Sequence, residues 1–170
     1  MKFKALRSEL EQNAASISAL AAGLSQAEAQ QRPAPEAWSL LEVVCHLYDE
    51  ERDDFRQRLD ILLHRPQDEW PPINPQAWVT ERSYNQQDFG AMLDKWLAER
   101  QKSLAWLDGL SAPDWDTRHP TPFGFEMAAG DMLSSWVTHD ILHLRQIVEL
   151  RHARVLAISA PYDIRYAGDW

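Results

Sequence analysis

A single cysteine, Cys45, occurs in 170 residues. An internal disulfide is therefore excluded, and a reducing cytoplasm is the expected compartment. Positive charge is also scarce: 17 Lys and Arg against 26 Asp and Glu leave a net charge of −9, with a pI of about 5.1. Non-specific nucleic-acid binding and adsorption to anionic lipid both need a basic surface, so neither is expected. No apolar run approaches the roughly 18 residues of a membrane span. The opening Met1-Lys2-Phe3-Lys4 leads straight into an amphipathic pattern with Glu9 and Glu11, so no signal-peptide core is expected. No strand-period run of convincing length, internal repeat or low-complexity segment interrupts the chain.

Apolar residues make up 45% of the chain and charged residues 25%, the balance of an ordinary globular protein. One domain spanning residues 1–170 is expected, long enough to bury a real core. Phe3, Leu6, Leu10, Ala14, Ile17, Leu20 and Leu24 step by three or four and predict a first helix over about 3–23, stopped at Gly23. Ser25 with Glu28 reads as a capping box for a short helical turn that Pro33 and Pro35 end. Ser39 with Glu42 is a second capping box, opening a helix to about His64 with Leu40, Val44, Leu47, Phe55, Leu59 and Leu62 on its apolar stripe. His46 falls beside that stripe, towards Glu42, Asp49, Glu50 and Asp53, at a core edge open to solvent. Residues 65–87 hold Pro66, Pro71, Pro72 and Pro75 and suit neither helix nor strand. They read as a long crossover pinned by Trp70, Trp78 and Tyr84. Asp88 caps a third helix carrying Phe89, Met92, Leu93, Trp96, Leu104 and Leu107, closed by Gly109. Residues 111–125 are irregular, and a fourth helix runs from about Glu126 to His152. The class is all-α: a four-helix bundle with a long crossover between helices 2 and 3.

Chemistry concentrates in the fourth helix. His139 and His143 are one turn apart on the inward stripe with Met132, Trp136, Ile147 and Leu150. Two imidazoles so placed can hold one metal ion and leave part of its shell free, and His46 is the candidate third ligand. Other metal patterns fit worse. The di-iron bundle needs two Glu-x-x-His motifs, and a zincin needs Glu directly after the first His. Cys45 points away from His46 and reads as a packed apolar residue. Asp49, Glu50 and Gln146 are candidates to orient the rings, although a solvated charged face explains each one singly. Trp136 reads as either pocket wall or core. Most of the eight tryptophans are expected to pack between helices. His64, His119 and His152 are expected on the surface or in loops.

Trp38-Ser39-Leu40-Leu41-Glu42-Val43-Val44-Cys45-His46-Leu47, then the proline-rich crossover, then His139-Asp140-Ile141-Leu142-His143-Leu144-Arg145-Gln146-Ile147 resemble the DinB/YfiT-like superfamily. The closing Asp163-Ile164-Arg165-Tyr166-Ala167-Gly168-Asp169-Trp170 resembles one branch of it. The resemblance spans essentially the whole chain and implies the same four-helix bundle. It also implies metal ligation by one His of helix two and a His-x-x-x-His pair of helix four, here His46, His139 and His143. Zinc or nickel is the expected ion, although imidazole also suits iron and copper. Thiol-dependent S-transferases and a mycothiol-dependent isomerase belong to the superfamily. The implied activity is therefore metal-activated attack on a small-molecule electrophile by a low-molecular-weight thiol, as co-substrate, or by water. A homodimer is also implied. The alternatives are a non-catalytic metal- or small-molecule-binding stress-response protein and a bare helical interaction module.

Overall fold

The structure, a computed structural model, describes residues 2–122 and 124–170. Met1, where the N-terminal reading began, lies outside the described residues. Helix α1 spans Phe3–Ala21 and stops as expected at Gly23, whose φ of +76° suits a residue without Cβ. Both capping boxes form. Ser25 opens the short α2, Gln26–Ala29, and Ser39 opens α3, Leu40–Glu50. In the second box Ser39 Oγ accepts from the Glu42 amide at 3.2 Å, and Glu42 Oε2 accepts from the Ser39 amide at 2.8 Å.

The second bundle helix does reach His64, but not as one regular helix. A π-helical turn at Glu51–Phe55 joins α3 to α4, Arg56–His64. The extra residue of a π-turn resets the helical phase. Phe55, Leu59 and Leu62 still share the interior with Leu40, Val44 and Leu47 across it, and Glu51 stays inside as well. The crossover is ordered. It carries α5, Pro75–Glu81, and a 3-10 turn at Tyr84–Gln86, and it buries Trp70, Trp78 and Tyr84. Asp88 caps α6, Phe89–Asp108, through a 2.7 Å bond to the Ala91 amide.

Two expectations near the fourth helix need correction. Residues 118–128 are not merely irregular: β1, Arg118–Pro120, pairs antiparallel with β2, Glu126–Ala128, with His119 opposite Met127. Three residues per strand are too few to show a period of two. The pairing takes 126–128, so α7 begins later than expected, at Ala129, and it runs further, to Ser159. His119 is likewise not a surface residue. It is buried in β1, stacked on Trp70 at 5.5 Å, with its ring nitrogens 2.6 Å from the Pro120 carbonyl and 2.7 Å from the Asp68 carbonyl. It thereby ties the hairpin to the crossover.

Helix α1 lies against α6 and α7, and α3 also packs on both of those helices. The apolar core falls into two clusters. One gathers Ile17, Val44, Trp96 and Ile147; the other gathers Leu10, Leu59, Leu104 and Trp136. Between them, by position along every bundle helix, lies a buried polar layer. It contains Asn13, His46, Glu50, Glu51, Asp54, Arg100 and Asp140.

Candidate metal centre

The polar layer has one fully closed part. Arg100 is 1% exposed and reaches three other bundle helices at once. Its guanidinium donates to Glu51 Oε1 and Oε2, each at 2.8 Å, and to Asp140 Oδ1 and Oδ2 at 2.9 and 2.6 Å. Nη1 also donates to the Leu10 carbonyl at 2.9 Å, and Trp136 Nε1 donates to Glu51 Oε2 at 3.1 Å. Sequence reasoning missed this knot, although it left a trace. The apolar stripe skips from Leu47 to Phe55 in one helix and from Trp96 to Leu104 in another. Glu51 and Arg100 stand midway in those gaps, on the inward face.

Asp140 is the residue after His139, so the knot fixes the rotation of α7 beside the histidines. It fixes the helix of His46 through Glu51. With that register set, His46 Nε2 lies 3.2 Å from His139 Nε2, and His143 Nε2 lies 3.1 Å from the same atom. The three ligand nitrogens all lie within 4.8 Å of one another. Tetrahedral coordination at bonds of about 2.0–2.1 Å separates two nitrogens by about 3.3 Å, so the two spacings to His139 Nε2 suit a shared small cation.

Proton bookkeeping points the same way. Burial, and then the neighbouring His143, push the His46 imidazole down from 6.5 to about 3. Burial and the neighbouring rings push His139 down to about 2, and burial lowers His143. All three are neutral at pH 7, the form that ligates metal. His143 Nδ1 meets Gln146 Oε1 at 2.8 Å, which assigns its N–H to Nδ1 and turns the Nε2 lone pair inward. Neutral rings with nitrogens this close repel one another unless a proton or a cation lies between them. The donor set therefore fits a divalent ion.

These rings line an open cleft of about 580 Å³ with Trp38, Glu50, Pro75 and Gln146. Trp38, not named as a wall from the sequence, flanks His46 with ring centroids 5.0 Å apart. Trp136 belongs to the core: it stacks on Phe55, whose ring in turn supports His139 at 4.9 Å.

Of the three residues proposed to orient the rings, only Gln146 has a bond to one of them. Asp49 faces the crossover, accepting from Tyr84 Oη at 2.6 Å and pairing with Arg82 at 2.7 Å. Glu50 lines the cleft, but its Oε1 has no hydrogen-bond partner, nor does His46 Nδ1 one turn earlier. Burial and the neighbouring Asp54 hold the Glu50 carboxyl in its protonated form, well above the ordinary carboxylate range.

The expected solvated acidic side of this helix is in fact inside the protein. Glu42, His46, Asp49, Glu50 and Glu51 are all buried. Arg32 covers Glu42, while Arg82 and Tyr84 cover Asp49. Cys45 is packed as expected, with its thiol pushed up to about 12 by burial. His64 is exposed and pairs with Asp60, and His152 stacks on Trp170 with centroids 4.1 Å apart.

Residues 9–147 match the family model of the DinB superfamily. Among solved structures, the chain is similar to YfiT from Bacillus subtilis, at TM-score 0.79 and 18% identity over 89% of this chain and 86% of that one. That protein is described as a probable metal-dependent hydrolase with an unusual four-helix bundle topology. At this identity the likeness establishes the shared bundle. No curated protein matches the chain.

Proposed function

The chain belongs to the DinB superfamily, and on that premise we propose that it is a divalent-metal-dependent enzyme acting on a small-molecule electrophile. His46, His139 and His143 hold the ion, for which the family resemblance points to zinc or nickel among the several divalent metals that imidazole accepts. The attacking group is a low-molecular-weight thiol or water. The observation that carries this reading is the convergence of three neutral Nε2 atoms on the floor of an open cleft. A set of three protein ligands leaves coordination positions free, the arrangement of a catalytic rather than a structural site. The bound ion supplies Lewis acidity, which brings the pKa of water to about 7 or removes the proton of a thiol.

The chain's own residues do the rest. Gln146 fixes the tautomer and rotation of His143. Trp38 and Pro75 wall the cleft on one side. Glu50 lines the cleft with its Oε1 free of partners, an acceptor available to a bound substrate. Cys45 is buried and its thiol is hard to ionise, which supports an external nucleophile. The hydrolase description of the similar bundle favours the water branch, and the superfamily's thiol-dependent members favour the other.

The protein works in the reducing cytoplasm on this account, a reading supported by its single buried thiol; no described helix is long and apolar enough to cross a membrane. It is proposed to act as a homodimer through the exposed apolar residues of α7, among them Ile141, Leu142, Val148 and Val155.

Purified protein should carry stoichiometric divalent metal and show chelator-sensitive turnover on a panel pairing thiols with electrophiles or on a panel of ester and amide hydrolysis. Metal binding with no turnover on either panel would make the chain a non-catalytic binder. Absence of bound metal after loading with zinc or nickel would remove the reading altogether.

A further inference from the structure

A second cavity, of about 270 Å³, lies between the end of α1, the short α2 and the last third of α7. It shares no lining residue with the histidine cleft. Leu24, Leu40, Leu150 and Ala157 supply its apolar wall, and Glu28, Arg32, Arg151 and Arg154 its charged lining. Three guanidiniums around one hole reverse the sign of a chain whose net charge is −9.

Two of the three arginines are engaged. Arg32 donates to Glu42 and to the Pro35 carbonyl. Arg154 donates through Nε and Nη2 to Glu28 Oε1, while Glu28 Oε2 accepts from Ser25 at 2.8 Å. Arg151 has no hydrogen bond or ion pair among the described residues, and Arg154 Nη1 is likewise unused. One uncompensated cation with free donors therefore sits at an apolar hollow. A guanidinium fork matches a carboxylate in a planar, two-point contact. The volume falls just below the ~300 Å³ at which drug-sized ligand sites begin, so the ligand is small.

We propose that this cavity binds a small organic carboxylate, with its head group on Arg151 and the free edge of Arg154 and its short apolar body against Leu24, Leu40 and Leu150. One unpaired guanidinium balances a monoanion, and the apolar wall disfavours a hydrated dianion such as phosphate. The site is independent of the metal reading. It nevertheless draws on the same two helices: Leu40 precedes His46 on α3, and Arg151 follows His143 on α7.

The test is calorimetric titration of the chelator-treated full chain with octanoate, octanol and inorganic phosphate. Octanoate should bind with a Kd of ~1 mM or tighter, and octanol and phosphate about ten-fold or more weakly. Arg151→Gln should weaken octanoate about ten-fold without changing the melting temperature, because no partner is lost. His139→Ala should bind octanoate as the wild type does. Undetectable octanoate binding, equal affinity for octanol or phosphate, or no effect of Arg151→Gln would overturn the proposal. Loss of binding in His139→Ala would place the carboxylate in the histidine cleft instead, and would overturn it too.

Discussion

The two halves of the buried polar layer obey opposite rules. Around Arg100, both carboxylates, the guanidinium, an indole N–H and a helix-one carbonyl are matched within 2.6–3.1 Å. A few ångströms along the same helices, three imidazoles point like atoms at one another, and His46 Nδ1 and Glu50 Oε1 have no partner. Burial of polar groups is costly in both places. The first cluster recovers that cost internally and joins all four bundle helices. The second does not, and it opens on a cleft. The matched cluster around Arg100 therefore belongs to the scaffold, where Asn13 Nδ2 and Trp96 Nε1 also go without partners, and the convergence of like imidazole nitrogens on a cleft is what marks the place for a ligand.

The largest break in this comparison should come from Arg100→Met. It leaves Glu51 and Asp140 facing each other without their cation and should cost roughly 3–5 kcal/mol in urea unfolding, a large share of an ordinary domain's stability. A loss below about 1 kcal/mol would show that the knot does not hold the bundle.

Acid should strain the other half. In metal-free protein, His46 and His139 are held at about 3 and about 2, below the 6.5 of the unfolded chain. Between those values the unfolded state binds more protons, so stability rises with pH and is lost as pH falls below 6.5. Each ring contributes up to about 1.4 kcal/mol per pH unit. Glu50 has the opposite sign: its carboxyl is raised above 4.5, so its contribution falls as pH rises past that value. Asp54, whose carboxyl burial also raises, shares that sign, so stability of the chelated protein should fall on the acid side of 6.5 by less than the rings alone would give. An acid-side slope left unchanged when both His46 and His139 are replaced would contradict the burial of neutral rings.

The smallest effect expected is that of Gln146→Ala. Losing the Nδ1 partner of His143 should weaken metal affinity by about 10–100-fold, read by competition with a chelator, and leave urea unfolding of the metal-free protein unchanged. Equal losses in both measurements would make Gln146 a structural residue.

Much of the scaffold was legible because it rests on local rules. Ser39 with Glu42, Ser25 with Glu28, Asp88 and Gly23 mark helix ends through bonds within a few residues. The His139–His143 pair was visible as a period of four on an inward stripe, and it meets His46 as the resemblance suggested. What escaped depends on distant partners. Glu51 and Arg100 are charged, and only their positions midway in eight-residue gaps of two apolar stripes betray that they face inward. His119 and Asp49 are buried by contacts with the crossover, which no helical wheel contains. The β1–β2 hairpin has too few residues for periodicity to register.

The account stands most directly on metal titration of wild-type and His46→Ala protein against a competing chelator, with far-UV circular dichroism as the folding control. Wild type should bind one divalent ion per chain. His46→Ala, still helical, should bind at least about 100-fold more weakly, because its ring comes from a different helix from the other two. Equal affinity in the two proteins would mean that the three rings do not share an ion.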